Sequence, residues 1–149
     1  MKSLASPKVL AETTERFRSL REEDRARWGR MTASQMVRHL IYAYETILGT
    51  RAVAPLTTRP STVYRWMALW SGIRWPKNQS TAPELARAVE EECDAAFMEL
   101  VRDVIEKTEL FASGRPLGER HPLFGPMTAR DWMRWGYLHA DHHLRQFGR

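Results

Sequence analysis

Residues 32–49 read TASQMVRHLIYAYETILG, and this stretch decides the fold class. Thr32 stands three residues before Gln35, so its hydroxyl can accept from the first free N–H groups of a helix while the glutamine reaches back to the N–H of the cap. Met36, Leu40, Ala43 and Ile47 then recur at three- and four-residue spacing, the period of one buried helix face, and Gly49 follows as a stop. The pattern predicts an amphipathic helix laid against a core.

Two other stretches open in the same way. TAPE at Thr81 adds a proline in the first turn, where a missing N–H costs nothing, and continues with Leu85, Val89, Cys93, Phe97, Leu100 and Val104 on one stripe. TARD at Thr128 substitutes an aspartate at the reaching position and leads into Trp132, Trp135 and Gly136, with Gly148 placed to end the helix. Residues 8 to 26 read as a charged amphipathic helix with Leu10, Phe17 and Leu20 on one side. STVYRWMALWSGIRW, between Pro60 and Pro76, offers Val63, Trp66, Met67 and Trp70 at helical spacing. The connecting stretches GTRAVAPLTTRP, PKNQS and ASGRPLGERHPLFGP carry helix breakers. No alternation of β-branched residues and no Asn-Gly or Asp-Gly turn suggests a hairpin. The expected fold is therefore all-α: five helices, arranged as an antiparallel four-helix bundle with one additional helix, in a single domain over residues 1–149.

Composition agrees. A chain of 149 residues can bury a core without disulfides, and the lone Cys93 cannot form an internal bridge, so a cytoplasmic location is expected. The N-terminal stretch reaches a proline and charges before any apolar run, unlike a secretory signal, and no segment approaches the roughly 20 apolar residues of a membrane span. The net charge of +5 permits an anionic partner. The basic residues alternate with acids, however, which argues against nucleic acid.

The histidines give the chain its chemistry. Three of five fall in HADHH, residues 139–143. His39 lies three residues past Met36 and four before Ala43, on the buried stripe of its helix. His139 and His143 stand seven and eleven residues past Trp132, which returns both to the inner face of the last helix. Three imidazoles from two helices can thus converge on a divalent transition ion, for which an i, i+4 histidine pair supplies two ligands. His142 remains an alternative to His143: the two lie about 60° and about 40° around the helix from His139, a small difference. Three histidines leave positions open for water or substrate, the pattern of catalytic sites. Gln35, one turn before His39, and Gln146, on the face of His139, are placed to support ligands from behind. Tyr42 is a candidate to line the cavity, and His121 to hold a turn.

These residues resemble the DinB-like superfamily, helix bundles also called YfiT-like metal-dependent hydrolases. Its signature is a histidine on an early helix, here in MTASQMVRHL, and an H-x-x-x-H or H-x-x-H-H group on the last, here HADHH. WGRMTASQMVRHL, HPLFGPMTARDWMRW and HLRQFG are similar to one bacterial subfamily, and the likeness covers nearly all of the chain after residue 27. The resemblance implies His39, His139 and His143 as ligands, with His142 beside the site. Three imidazoles suit Zn, Ni or Fe, and the resemblance implies that a bound divalent ion activates a low-molecular-weight thiol or a water, making the protein a thiol S-transferase or a hydrolase acting on a small-molecule substrate. His142 and Tyr42 would then orient substrate or carry a proton.

A second class of function is a binding or stress-response module in which the histidines are structural. Tyr64, Trp66, Trp70 and Trp75 alternate with Arg65, Arg74 and Lys77, a composition that can stack bases or meet an anionic surface. Against it, Trp66 and Trp70 have the spacing of core residues. The same aromatic helix would also suit a homodimer interface.

Overall fold

The computed structural model describes residues 1–51, 61–77, 95–114, 117–121 and 123–149. Five helices occur among them: α1 (Pro7–Arg18), α2 (Ala33–Ile47), α3 (Thr62–Trp70), α4 (Phe97–Ala112) and α5 (Ala129–Gln146). Two two-residue strands, β1 (Arg120–His121) and β2 (Gly125–Pro126), pair antiparallel before α5. The described chain is all-α apart from this hairpin, whose strands are too short to show any alternation in the sequence.

Both fully described capping boxes are formed. The Thr32 hydroxyl accepts from Gln35 N–H at 3.2 Å while Gln35 Oε1 accepts from Thr32 N–H at 3.0 Å. At α5, Thr128 Oγ1 accepts from Asp131 N–H at 3.1 Å and Asp131 Oδ2 accepts from Thr128 N–H at 3.1 Å. Aspartate therefore closes the box despite its shorter side chain. Gly49 and Gly148 sit one residue past the C-caps with φ of 75° and 79°, a conformation that favours glycine and ends each helix.

The core is built where these helices meet. α2 packs along α4, both α1 and α2 contact α4 and α5, and α3 lies against α5. Phe17, Met36, Val37, Leu40, Tyr44, Val104, Phe111 and Trp132 are buried between them, each contributing roughly 1.5–3 kcal/mol of apolar burial for the aliphatic and phenyl side chains. Gly136 lets α4 and the N-terminal segment approach α5: a Cβ there would stand 2.7 Å from Phe111 and 2.9 Å from Leu4. Polar ties fix the same helix. Asp141 accepts from Arg16 of α1 at 2.9 Å and from Arg145 at 2.8 Å, the buried Arg134 donates to Leu69 O at 2.9 Å, and Trp70 Nε1 donates to Asp131 at 2.9 Å.

Three expectations need correction. The first helix ends at Arg18 rather than near residue 26, because the Ser19 hydroxyl turns back to Arg16 O and the Asp24 carboxylate accepts from Arg21 N–H, holding the charged stretch in turns. The stripe through Phe97, Leu100 and Val104 does not continue one uninterrupted helix from Thr81. Ala96 is extended at ψ 142°, and α4 starts afresh at Phe97 with Glu99 in its first turn. Thr81 through Cys93 lie outside the described residues. In α3, Trp66, Met67 and Val63 are exposed and Leu69 is the buried residue. A helix apolar on every side gives periodicity no means of choosing its inner face. None of the described helices is long and apolar enough to cross a membrane.

Candidate metal centre

The register of two helices creates the centre. In α2, the buried run Met36, Val37, Leu40 and Ala43 fixes the face on which His39 falls, leaving it 6% exposed. In α5, burial of Trp132 and Trp135 turns the next positions of the same stripe, His139 and His143, toward α2. The three rings converge. Their centroids stand 5.1 Å apart for His39 and His139, 4.8 Å for His39 and His143, and 5.1 Å for His139 and His143. One ring nitrogen from each lies within 4.8 Å of the others. His39 Nε2 and His139 Nε2 are 3.1 Å apart, close to the roughly 3.3 Å edge that two nitrogens span on a tetrahedral ion at 2.0–2.1 Å.

Burial sets the protonation state. Desolvation pushes the His39 imidazole down from its ordinary 6.5 to about 4, reinforced by the charge of His142. It drives His139 and His143 well below 6.5, with the neighbouring histidines adding to the effect. All three are therefore neutral near pH 7 and offer lone pairs, the state a metal requires. His139 Nδ1 is buried without a hydrogen-bond partner among the described residues, while its Nε2 faces His39. Three neutral imidazoles with one ring nitrogen of each within 4.8 Å of the others fit a cation.

His143 is oriented from behind. Gln146 Nε2 donates to Trp28 O at 2.7 Å, which fixes the amide so that Oε1 accepts from His143 Nδ1–H at 2.9 Å. The proton is thereby held on Nδ1 and the Nε2 lone pair is free for the centre. Gln146, 3% exposed, thus supports His143 rather than His139. Gln35 is engaged in the α2 cap by its own Oε1, which ties the helix carrying His39 without a contact to that ring. Tyr42 accepts from Arg38 at 3.0 Å and lies beneath the Arg51 guanidinium at 3.8 Å, giving it cationic neighbours instead of imidazoles. His121 stacks on Phe124 at 4.4 Å and its Nδ1 accepts from Leu123 N–H at 3.1 Å, the turn-holding contact expected of it.

His142 is enclosed beside the three rings. It is 7% exposed, perpendicular to His143 at 5.1 Å, and its Nδ1 is buried without a partner among the described residues. Two indoles enclose it: Trp28 at 5.8 Å and Trp75 at 6.2 Å, the latter also 6.0 Å from His139. Neither tryptophan carries a signal in the sequence that would place it here, because each stands outside a helix and its position depends on long-range packing. Trp28 alone adjoins a legible feature, the Thr32 cap four residues on.

The chain belongs to the DUF1569 family, proteins of unknown function, whose model matches residues 2–149. No curated protein and no solved structure matches it.

Proposed function

We propose that this DUF1569 protein holds a divalent transition-metal ion through His39, His139 and His143 and catalyses a reaction of a small molecule, either transfer involving a low-molecular-weight thiol or hydrolysis. The supporting observation is the convergence of three buried, neutral imidazoles from α2 and α5, with one ring nitrogen of each within 4.8 Å of the others. Such a set suits Zn, Ni or Fe and leaves coordination positions for water or substrate. When bound, the ion would lower the pKa of a coordinated thiol or water.

The chain's own residues divide the remaining work. Gln146 keeps His143 in the ligating tautomer. His142, whose Nδ1 has no partner among the described residues and which stands beside His143, is the residue we assign to proton transfer. Tyr42 is a weaker candidate for substrate contact. We extend the DinB-like resemblance to the architecture: α1, α2, α4 and α5 as the four-helix bundle, α3 as the additional helix, in one cytoplasmic domain. The test is metal content followed by a screen of thiol and electrophile pairs with the preferred ion. Turnover that tracks metal loading supports the reading, and turnover that persists in His39→Ala and His143→Ala sinks it.

The direct His39–His139 contact at 3.1 Å favours a second reading, in which these rings are a structural hydrogen bond of a non-enzymatic module. Metal-free protein with full thermal stability, unchanged by any added divalent ion, would decide for it.

A further inference from the structure

A cleft of about 320 Å³ opens beside the histidines, lined by Arg27, Trp28, Arg74, Trp75, Lys77, Arg145, Gly148 and Arg149. Five of these eight residues are cationic and none is acidic. Arg145 pairs with Asp141 and Arg149 with Asp24. No carboxylate among the described residues pairs with Arg27, Arg74 or Lys77. Arg27, Arg74 and Lys77, gathered in one cleft without a carboxylate partner among the described residues, repel one another, and a concave wall of low dielectric focuses their field. The arrangement is stable only at the cost of that repulsion, which an anion would relieve.

Two further observations point to a ligand. Trp28 Nε1 and Arg149 Nε, both donors on residues that line the cleft, are buried without a hydrogen-bond partner among the described residues. Gly148, at φ 79°, leaves room for the Arg27 guanidinium, since a Cβ there would lie 2.5 Å from Nη2 and 2.8 Å from Nε. A glycine thus makes space for a cation at the rim. The cleft also borders the centre: Trp75 forms part of its wall and packs against His139 at 6.0 Å, and Trp28 packs against His142 at 5.8 Å.

We propose that this cleft binds the phosphate or carboxylate group of the small molecule that reacts at the histidines, with Arg27, Arg74, Lys77 and Arg145 as the anion's partners. The reacting end depends on the metal reading above; the anion site does not. Its specificity is for a compact anion next to an apolar or flat body, because the charges are interleaved with two indoles.

The test titrates metal-free protein with phenyl phosphate, benzoate and, as the neutral control, benzyl alcohol, followed by calorimetry and by the imidazole resonances of His139 and His142. Arg74→Glu/Lys77→Glu is the principal variant, both side chains being exposed, with Arg74→Ala/Lys77→Ala as a milder second. Salt-dependent binding of either anion, at least about tenfold weaker in the reversed variant and accompanied by shifts of the two imidazole signals, is the expected result. The stronger of the two anions identifies phosphate or carboxylate as the group. Absence of binding, equal binding by the reversed variant, or unmoved imidazole signals would overturn the proposal. So would binding that appears only after Zn loading and disappears in His143→Ala, which would seat the anion on the metal. Metal content measured on the same samples separates the two readings: wild type that takes no metal yet binds anion removes the metal centre and leaves the cleft.

Discussion

Replacing Gln146 by leucine removes one polar side chain and disconnects two groups. His143 Nδ1–H loses its acceptor at 2.9 Å and Trp28 O loses its donor at 2.7 Å, both at a position 3% exposed. An unsatisfied buried donor or acceptor costs about 1–3 kcal/mol, so metal-free Gln146→Leu should lose roughly 2–4 kcal/mol after the gain from an apolar side chain is counted. The effect on metal is separate. Without the acceptor on Nδ1, His143 no longer holds the tautomer that frees Nε2, and losses of such supporting bonds cost about 10–100-fold in affinity. Gln146→Glu keeps an acceptor for His143 but places a carboxylate oxygen against Trp28 O, so it should lose stability while holding affinity within about tenfold of wild type. Urea unfolding of metal-free protein and competition for Zn with a chromophoric chelator measure the two quantities. If Gln146→Leu bound metal as tightly as wild type, the relay from Trp28 through Gln146 to His143 would have no part in the centre.

Acid should unfold the metal-free protein early. His39 is held at about 4 against 6.5 in the unfolded chain, so as pH falls the unfolded state takes up the proton first; about 3 kcal/mol present at neutral pH is lost between pH 6.5 and 4, and urea midpoints across that window check it. His121, also near 4, should add a loss of the same sign, and His121→Phe should flatten part of the pH dependence. Gly136→Ala should destabilise by about 1 kcal/mol although alanine favours helix, because the added methyl meets Phe111 and Leu4; a stabilised variant would contradict the packing. Thr32→Ala should cost about 1 kcal/mol in urea unfolding through the α2 cap and leave metal stoichiometry unchanged.

The legible parts of this protein are those written in local rules. Thr32 with Gln35, and Thr128 with Asp131, mark where α2 and α5 begin, and the Met36 to Ile47 stripe places His39 inward before any tertiary contact is known. The i, i+4 spacing of His139 and His143 does the same on α5, and Gln146 follows at the next turn. What the sequence does not disclose depends on distant partners. Trp28 and Trp75 reach His142 from segments without periodicity and enclose it. α3 misled because Val63, Trp66 and Met67 are as apolar as Leu69, so only its contact with α5 chooses the buried side. The early end of α1 rests on Ser19 and Asp24 bonding the backbone, an alternative to helix that the charge pattern conceals. Gln35 and Tyr42 lie one turn from His39 yet are held by Thr32 and by Arg38 and Arg51. Proximity along a helix does not establish a shared site.

The proposed function rests on His39, His139 and His143 holding a metal ion. Elemental analysis of tag-free protein, as purified and after dialysis against one divalent ion at a time, tests it directly with His39→Ala and His143→Ala alongside. About one equivalent in wild type and loss in both variants, with helical content retained, is the expected result. No metal under any condition, or an equal content in the variants, would contradict it.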